Sequence, residues 1–209
     1  KLAKMDGVLR NITELMRDDT VLFVMGDHGM TRTGDHGGDS AEELEAGLFI
    51  YSPAQISSAP QNENEEAVVA QTDFVPTLAL LLGLPIPFSN LGMVIPELFG
   101  HCPWWDTTSN EIRRVYHKVK ALRLNAQQIN TYLSAYLQIA SDLPVSKLRA
   151  LRQQINKAES NVQNLITRMI ADGATDDALQ KFVNLVDMYK SYIKDAREMC
   201  EGVWAKFDW

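Results

Sequence analysis

The sequence predicts an incomplete α/β sandwich followed by an antiparallel helical bundle. Three observations predict it. An amphipathic helical stripe runs directly into a short apolar segment at Val21–Met25; glycine and proline crowd the first part of the chain; and heptad-spaced apolar residues fill most of the chain after residue 110.

Leu2, Met5, Leu9, Ile12 and Met16 recur at three and four residues, the stripe of a helix with one buried face, and Asp18-Asp19 ends it. Val21 to Met25 is too short for a helix and reads as a strand buried on both faces, as in a parallel sheet. Ala46 to Tyr51 reads as a second strand, closed by Ser52-Pro53, and Gln55 to Glu66 as a polar surface loop. Thr72-Asp73 offers a helix start with Pro76 in the first turns, Leu78, Leu81 and Leu82 form its buried side, and Gly83 stops it. Three seams come next. The first runs Ile112, Val115, Val119, Leu122, Ala126, Ile129, Leu133, Tyr136, Ala140; the second, Leu148, Leu151, Ile155, Ala158, Val162, Leu165, Met169, comes after Pro144. The third, after Gly173, runs Leu179, Phe182, Val186, Tyr189, Ile193, Ala196, Cys200, Val203, Phe207. Short connections between them predict an up-down-up bundle.

With 209 residues and 45% hydrophobic content the chain can bury a core. The longest apolar stretch, Phe74 to Phe88, is broken by Pro76, Pro85 and Pro87 and falls short of the roughly 20 residues of a membrane-spanning helix. Residues 1–100 hold 5 basic and 15 acidic side chains, 10 of the 12 glycines and 6 of the 8 prolines. Residues 101–209 hold 15 basic and 12 acidic. Two domains are therefore expected, 1–105 and 106–209. A net charge of −7 argues against nucleic-acid binding, which demands a basic face. The opening Lys1-Leu2-Ala3-Lys4 lacks an initiator methionine and starts within a helical pattern, as expected of a segment of a longer chain. Cys102 and Cys200 are compatible with a bridge or with two buried thiols, and the position of Cys200 on the third seam favours a buried thiol. Asn11-Ile12-Thr13 is a glycosylation sequon inside the first helix, meaningful only in a secretory chain.

The chemistry concentrates in GDHGMTRTGDHGGD, residues 26 to 39, where Asp-His-Gly occurs twice directly after the first strand. Ligand sites of α/β sheets gather at the carboxyl ends of strands. Asp27 and His28 can face one cation together, offering an oxygen and an imidazole nitrogen at about 2.0–2.2 Å. His36 returns near that position without coinciding with it, which favours two neighbouring metals. Paired divalent ions about 3.5–4 Å apart serve in-line phosphoryl displacement. A lone Asp-His is most often an ordinary turn; its repetition among glycines after a strand is what points to metal. Three ligands cannot fill two sites that each want about four, so the remaining ligands and the nucleophile must come from elsewhere. Asp35 and Asp39 are expected to support the ligands or fix the loop, since a metal-bound histidine needs an acceptor for its other nitrogen. His101 and His117 have no partner at ligand spacing and read as ordinary surface or packing histidines. Neither a Ser-His-Asp order nor a phosphate-cradling P-loop appears.

A strand ending in GDHGM, then TRTGDHGGDS, then LFIYSP, then QTDFVPTLALLLGLPIPFSNLG, resembles the alkaline-phosphatase-superfamily domain of the GPI ethanolamine phosphate transferases. Lys4-Met5-Asp6 also fits the helix before that strand, and the Gly-Asp-His-Gly-Gly-Asp-Ser form is most similar to members acting on the third mannose of the GPI glycan. The likeness covers about residues 1–100, is specific over 26–40 and 71–92, and extends loosely into the helices as the family's following luminal segment. It implies the C-terminal part of an alkaline-phosphatase-like α/β/α domain, with Asp27 and His28 on one zinc and His36 on a second. It further implies that a threonine takes phosphoethanolamine from phosphatidylethanolamine and passes it to a mannose of the GPI precursor. That threonine, the family's first metal-binding aspartate and its Asp-x-x-x-His pair lie upstream of the motif and have no counterpart in these residues, so the segment alone is expected to be inactive. Thr31 and Thr33 match no nucleophile motif. The resemblance implies a domain in the lumen of the endoplasmic reticulum, tethered to the membrane by helices outside this segment. The final Gly202–Trp209, rich in tryptophan, suits a helix nearing a bilayer interface or ordinary packing. Two rival readings share these residues: a metal-dependent phosphoesterase or phosphomutase of the same superfamily, and a non-catalytic module that docks a partner through its helical seams.

Overall fold

A computed structural model describes residues 1–54, 68–100, 111–172 and 176–204. The described residues form two compact units, one of residues 1–54 and one of residues 68–100 with the helices from 111 onward. The Gln55–Glu66 loop, His101, Cys102, Gly173, Phe207 and Trp209, all singled out above, lie outside the described residues.

In the first unit, helix α1 (Leu2–Leu15) is followed by strand β1 (Leu22–Met25), one turn of helix α2 (Ala41–Leu44) and strand β2 (Leu48–Tyr51). The strands pair antiparallel, Leu22 opposite Tyr51 and Met25 opposite Leu48, which corrects the expectation of a parallel sheet. A parallel return needs a crossover of a dozen or more residues, usually a helix. Residues 26–47 instead fold into turns and one helical turn, so the chain comes back beside β1 in the opposite sense. β1 is half-buried rather than buried on both faces, while β2 alternates, with Leu48 and Ile50 half-buried and Phe49 and Tyr51 exposed. Helix α1 forms, but none of its residues is buried: Leu2, Met5 and Ile12 of the expected stripe remain exposed, and Asn11 is exposed within the helix.

In the second unit a 3-10 turn (Gln71–Asp73) leads into α3 (Phe74–Leu81), which Gly83 ends at φ +67°, a conformation that costs glycine little. A second 3-10 turn (Pro96–Phe99) precedes α4 (Glu111–Tyr136), α5 (Val145–Asp172) and α6 (Asp176–Trp204). The Tyr116 ring packs on Phe182, and the Trp204 Nε1–H donates to the Tyr136 hydroxyl at 3.0 Å, so α4 and α6 run in the same direction. Gln154 donates to Asp195 and Tyr189 to Glu159, both at 2.7 Å, which sets α5 against them: the expected up-down-up order. Trp204 is half-buried against Tyr132 and Tyr136.

α6 sits between the other two and therefore buries more than one seam. Phe182, Tyr189, Ile193, Ala196 and Cys200 are buried as the heptads require, and Ala178, Leu185, Tyr192 and Met199 form a second row at seven-residue spacing. Where all three helices meet, the Glu159 carboxylate accepts hydrogen bonds from Arg123 (2.7 and 3.0 Å), Gln127 (3.2 Å) and the Tyr189 hydroxyl (2.7 Å). Burial alone would raise the Glu159 pKa, but the bonds from Arg123 and Tyr189 outweigh it and hold the group below the ordinary carboxylate value.

Composition groups residues 68–100 with the α/β region; in contacts they belong with the helices, through a few polar anchors. Buried Asn125 on α4 accepts the Val94 N–H at 2.9 Å and donates to the Gly92 carbonyl at 3.1 Å. Gln128 donates to the carbonyls of Phe88 and Asn90 at 2.8 and 2.9 Å. Asp73, 4% exposed, accepts the N–H groups of Met93 and Ala70 and the Arg197 guanidinium of α6 at 3.0 Å.

Replacing Asp73 with Ala leaves the Arg197 charge and two amides without their acceptor, and is expected to cost about 3–5 kcal/mol in denaturant unfolding. Burial pushes the free thiol of Cys200 up to about 11 from 9.0. The unfolded chain thus loses this proton first, and the stabilisation present below about pH 9 fades as pH rises towards about 11. Over that window the unfolding midpoint should fall more steeply in the native chain than in Cys200→Ala.

Candidate metal-binding loop

The loop begins where β1 stops pairing. The Gly26 N–H donates to the Gly47 carbonyl at 3.0 Å, the last rung before the chain turns, and the His28 N–H then donates to Asp27 Oδ1 at 3.1 Å. His28 Nδ1 lies 2.7 Å from the Gly29 carbonyl, a contact that requires Nδ1 to carry the proton. This leaves Nε2 as the nitrogen able to offer a lone pair to a cation, 3.8 Å from Asp27 Oδ2. The Asp27 side chain is 91% exposed and that of His28 44%, so both face solvent at the strand end.

The second Asp-His-Gly returns through a tight loop. Thr31 N–H donates to the Asp35 carbonyl, the Asp35 N–H to Thr31 Oγ1, and the Thr33 hydroxyl to Asp35 Oδ2, at 2.9–3.0 Å. These bonds bring His36 back beside His28. The two rings stack with centroids 5.1 Å apart and planes within 3° of parallel. Asp35 is thus engaged with the loop, while the acceptor for His28 is a backbone carbonyl; Asp39 is exposed. His117 is half-buried on α4, its ring beside Tyr116.

Two contacts with α2 hold the loop. The Gly29 N–H donates to the Glu43 carbonyl at 2.8 Å, and a Cβ at Gly29 would stand 2.1 Å from the Glu42 carbonyl oxygen and 2.3 Å from that of Glu45. Glu43 then receives the Gly38 N–H at 2.9 Å on one carboxylate oxygen and the Ser40 hydroxyl at 2.6 Å on the other. The bond from Ser40, the bond from Gly38 and the proximity of His36 hold its pKa below the ordinary value. The Ser40-Ala41-Glu42-Glu43 spacing matches a capping box, the signal that marks Glu43 in the sequence.

As a donor set, one carboxylate and two imidazoles with a defined free nitrogen on His28 suit a borderline cation such as zinc. The set is incomplete: among the described residues no group of three or more His, Cys, Asp or Glu side chains closes on one point. Asp27 adjoins His28, and His36 stacks on His28. Gly29→Ala is expected to lower stability by about 1–3 kcal/mol in denaturant unfolding, because backbone must move to admit the methyl. Gly7→Ala, in the middle of α1 with nothing within 4 Å, should instead be neutral or stabilising.

Residues 1–84 match the family model described as Sulfatase. The chain is 40% identical over 208 residues, 99% of its length, to GPI ethanolamine phosphate transferase 3, catalytic subunit, of Mus musculus and to that of Homo sapiens. It is 32% identical over 218 residues to GPI ethanolamine phosphate transferase 3 of Saccharomyces cerevisiae, covering the whole chain. It spans 18% of the length of each of these relatives. No solved structure matches. The similarity continues through α4, α5 and α6, further than the motifs of the first hundred residues reach. By sequence, the chain is similar over its whole length to the GPI ethanolamine phosphate transferases.

Proposed function

We propose that the protein carrying this chain transfers phosphoethanolamine from phosphatidylethanolamine to a mannose of the GPI precursor, the third mannose, during GPI-anchor biosynthesis. The observation that carries the proposal is the 40% identity over 99% of the chain, which spans the histidine loop and the helices alike. The site residues take roles consistent with it. Asp27 and His28 would hold one zinc and His36 a second, and when bound the pair would supply a lowered pKa for an attacking hydroxyl and positive charge against the phosphoryl oxygens.

The chain's own residues set this up. The Gly29 carbonyl fixes the His28 tautomer and ring orientation, as an acceptor on the far nitrogen of a metal-bound histidine does. Thr31 and Thr33 are committed to Asp35 and shape the loop rather than attack phosphorus; the nucleophile is assigned to a threonine outside this chain. The reading places the domain in the lumen of the endoplasmic reticulum. No described helix is long and apolar enough to cross a membrane, and attachment is assigned to other segments.

The test is His36→Ala in the full-length protein, expressed in cells deleted for their own copy, with GPI precursors examined by mass spectrometry. Outer partners of a metal ligand typically contribute 10–100-fold, so loss of a ligand itself is expected to reduce transfer by at least about 100-fold. Transfer at the native level would overturn the assignment. Hydrolysis of a soluble phosphate ester without transfer to the glycolipid would favour a phosphoesterase instead.

A further inference from the structure

We propose that Glu43 is the positioning residue that sets the spacing of the two metal-binding histidines; this rests on the functional reading above. Glu43 grips both Asp-His-Gly units. Its backbone carbonyl takes the N–H of Gly29, next to His28, at 2.8 Å. Its carboxylate takes the N–H of Gly38, two residues after His36, at 2.9 Å, and the Ser40 hydroxyl at 2.6 Å. His28 and His36 are thus tied to opposite ends of a single residue on a helical turn, and their rings lie parallel at 5.1 Å.

Packing leaves the grip little slack. A Cβ at Gly38 would stand 2.5 Å from Glu43 Oε2, and one at Gly29 would strike the carbonyls on either side of Glu43. The carboxylate is engaged by groups that ligate nothing, so Glu43 acts through the loop and holds no metal itself. Without it, the Gly37-Gly38 stretch after His36 loses its anchor and that histidine samples positions away from His28.

The chemistry of the grip makes a sharp test available. A glutamine at this position can still accept the Gly38 N–H through Oε1 and can donate through Nε2 to the Ser40 hydroxyl oxygen, so it preserves both contacts without the charge. Alanine removes both. Zinc affinity of the full-length protein is measured by chelator competition, alongside the thermal midpoint and transfer activity, for the native protein, Glu43→Gln, Glu43→Ala and Ser40→Ala.

Glu43→Ala should bind zinc about 10–100-fold more weakly, the range for loss of a group that orients a metal ligand. Glu43→Gln should stay within about threefold of the native protein, and Ser40→Ala should fall between. A midpoint shift without any change in zinc affinity would overturn the proposal in favour of a purely structural role. Equal loss in Glu43→Gln and Glu43→Ala would overturn it in favour of Glu43 as a ligand or proton carrier. If the native full-length protein itself neither binds zinc nor transfers phosphoethanolamine, the functional reading fails instead, and the outcome is distinguishable from both.

Discussion

The histidine loop depends on how closely Gly29 approaches the single turn of α2. That approach is possible only because residue 29 lacks a side chain: the space a Cβ would take is occupied by two carbonyl oxygens of the turn. The N–H of Gly29 meets the Glu43 carbonyl, and from there the order of the site is set. His28 is held at the end of β1, the loop between Thr31 and Asp35 closes on its own hydroxyls, and His36 is delivered onto the face of His28. An antiparallel pair of short strands suffices as the support, because the strands need only bring residues 26 and 47 together.

The second unit obeys a different constraint. Its core is the seam of three helices with α6 in the middle, and apolar burial supplies most of the stability. Polar groups supply the specificity. Glu159 gathers donors from both neighbouring helices, which disfavours sliding of the helices past one another because any shift by a turn would part the half-buried carboxylate from them. Asp73, Thr77 and Asn125 do the same for the irregular strap at residues 88–95: each satisfies a backbone amide that has no partner in a sheet or helix.

Much of this was legible in the sequence, and the gaps have physical causes. The heptad seams of α4, α5 and α6 were readable because apolar burial repeats with the helix period, and Val119, Leu122, Ile155, Val162, Tyr189 and Ile193 are buried where the spacing put them. The second row on α6 was less evident, because a helix that contacts two partners buries a face wider than one seam. Strand direction was not legible: β1 is as apolar as a parallel strand, and only the path of residues 26–47 decides how β2 comes back. In the loop, the repeated Asp-His-Gly marked Asp27, His28 and His36. Glu43 was not singled out: the capping-box spacing from Ser40 was its one mark, and its contacts to Gly38 and Gly29 follow no periodicity. The attachment of residues 68–100 to the helices likewise rests on single polar side chains, Asn125, Gln128 and Arg197, scattered along otherwise ordinary helical faces.

The proposed chemistry requires that Asp27, His28 and His36 face a common space at one strand end. The direct test is diffraction from crystals of the full-length protein grown with zinc, recorded on both sides of the zinc absorption edge. Two anomalous peaks about 3.5–4 Å apart are expected, one against Asp27 and His28 and the other against His36. Zinc bound elsewhere, with these three side chains turned to separate surfaces, would contradict it.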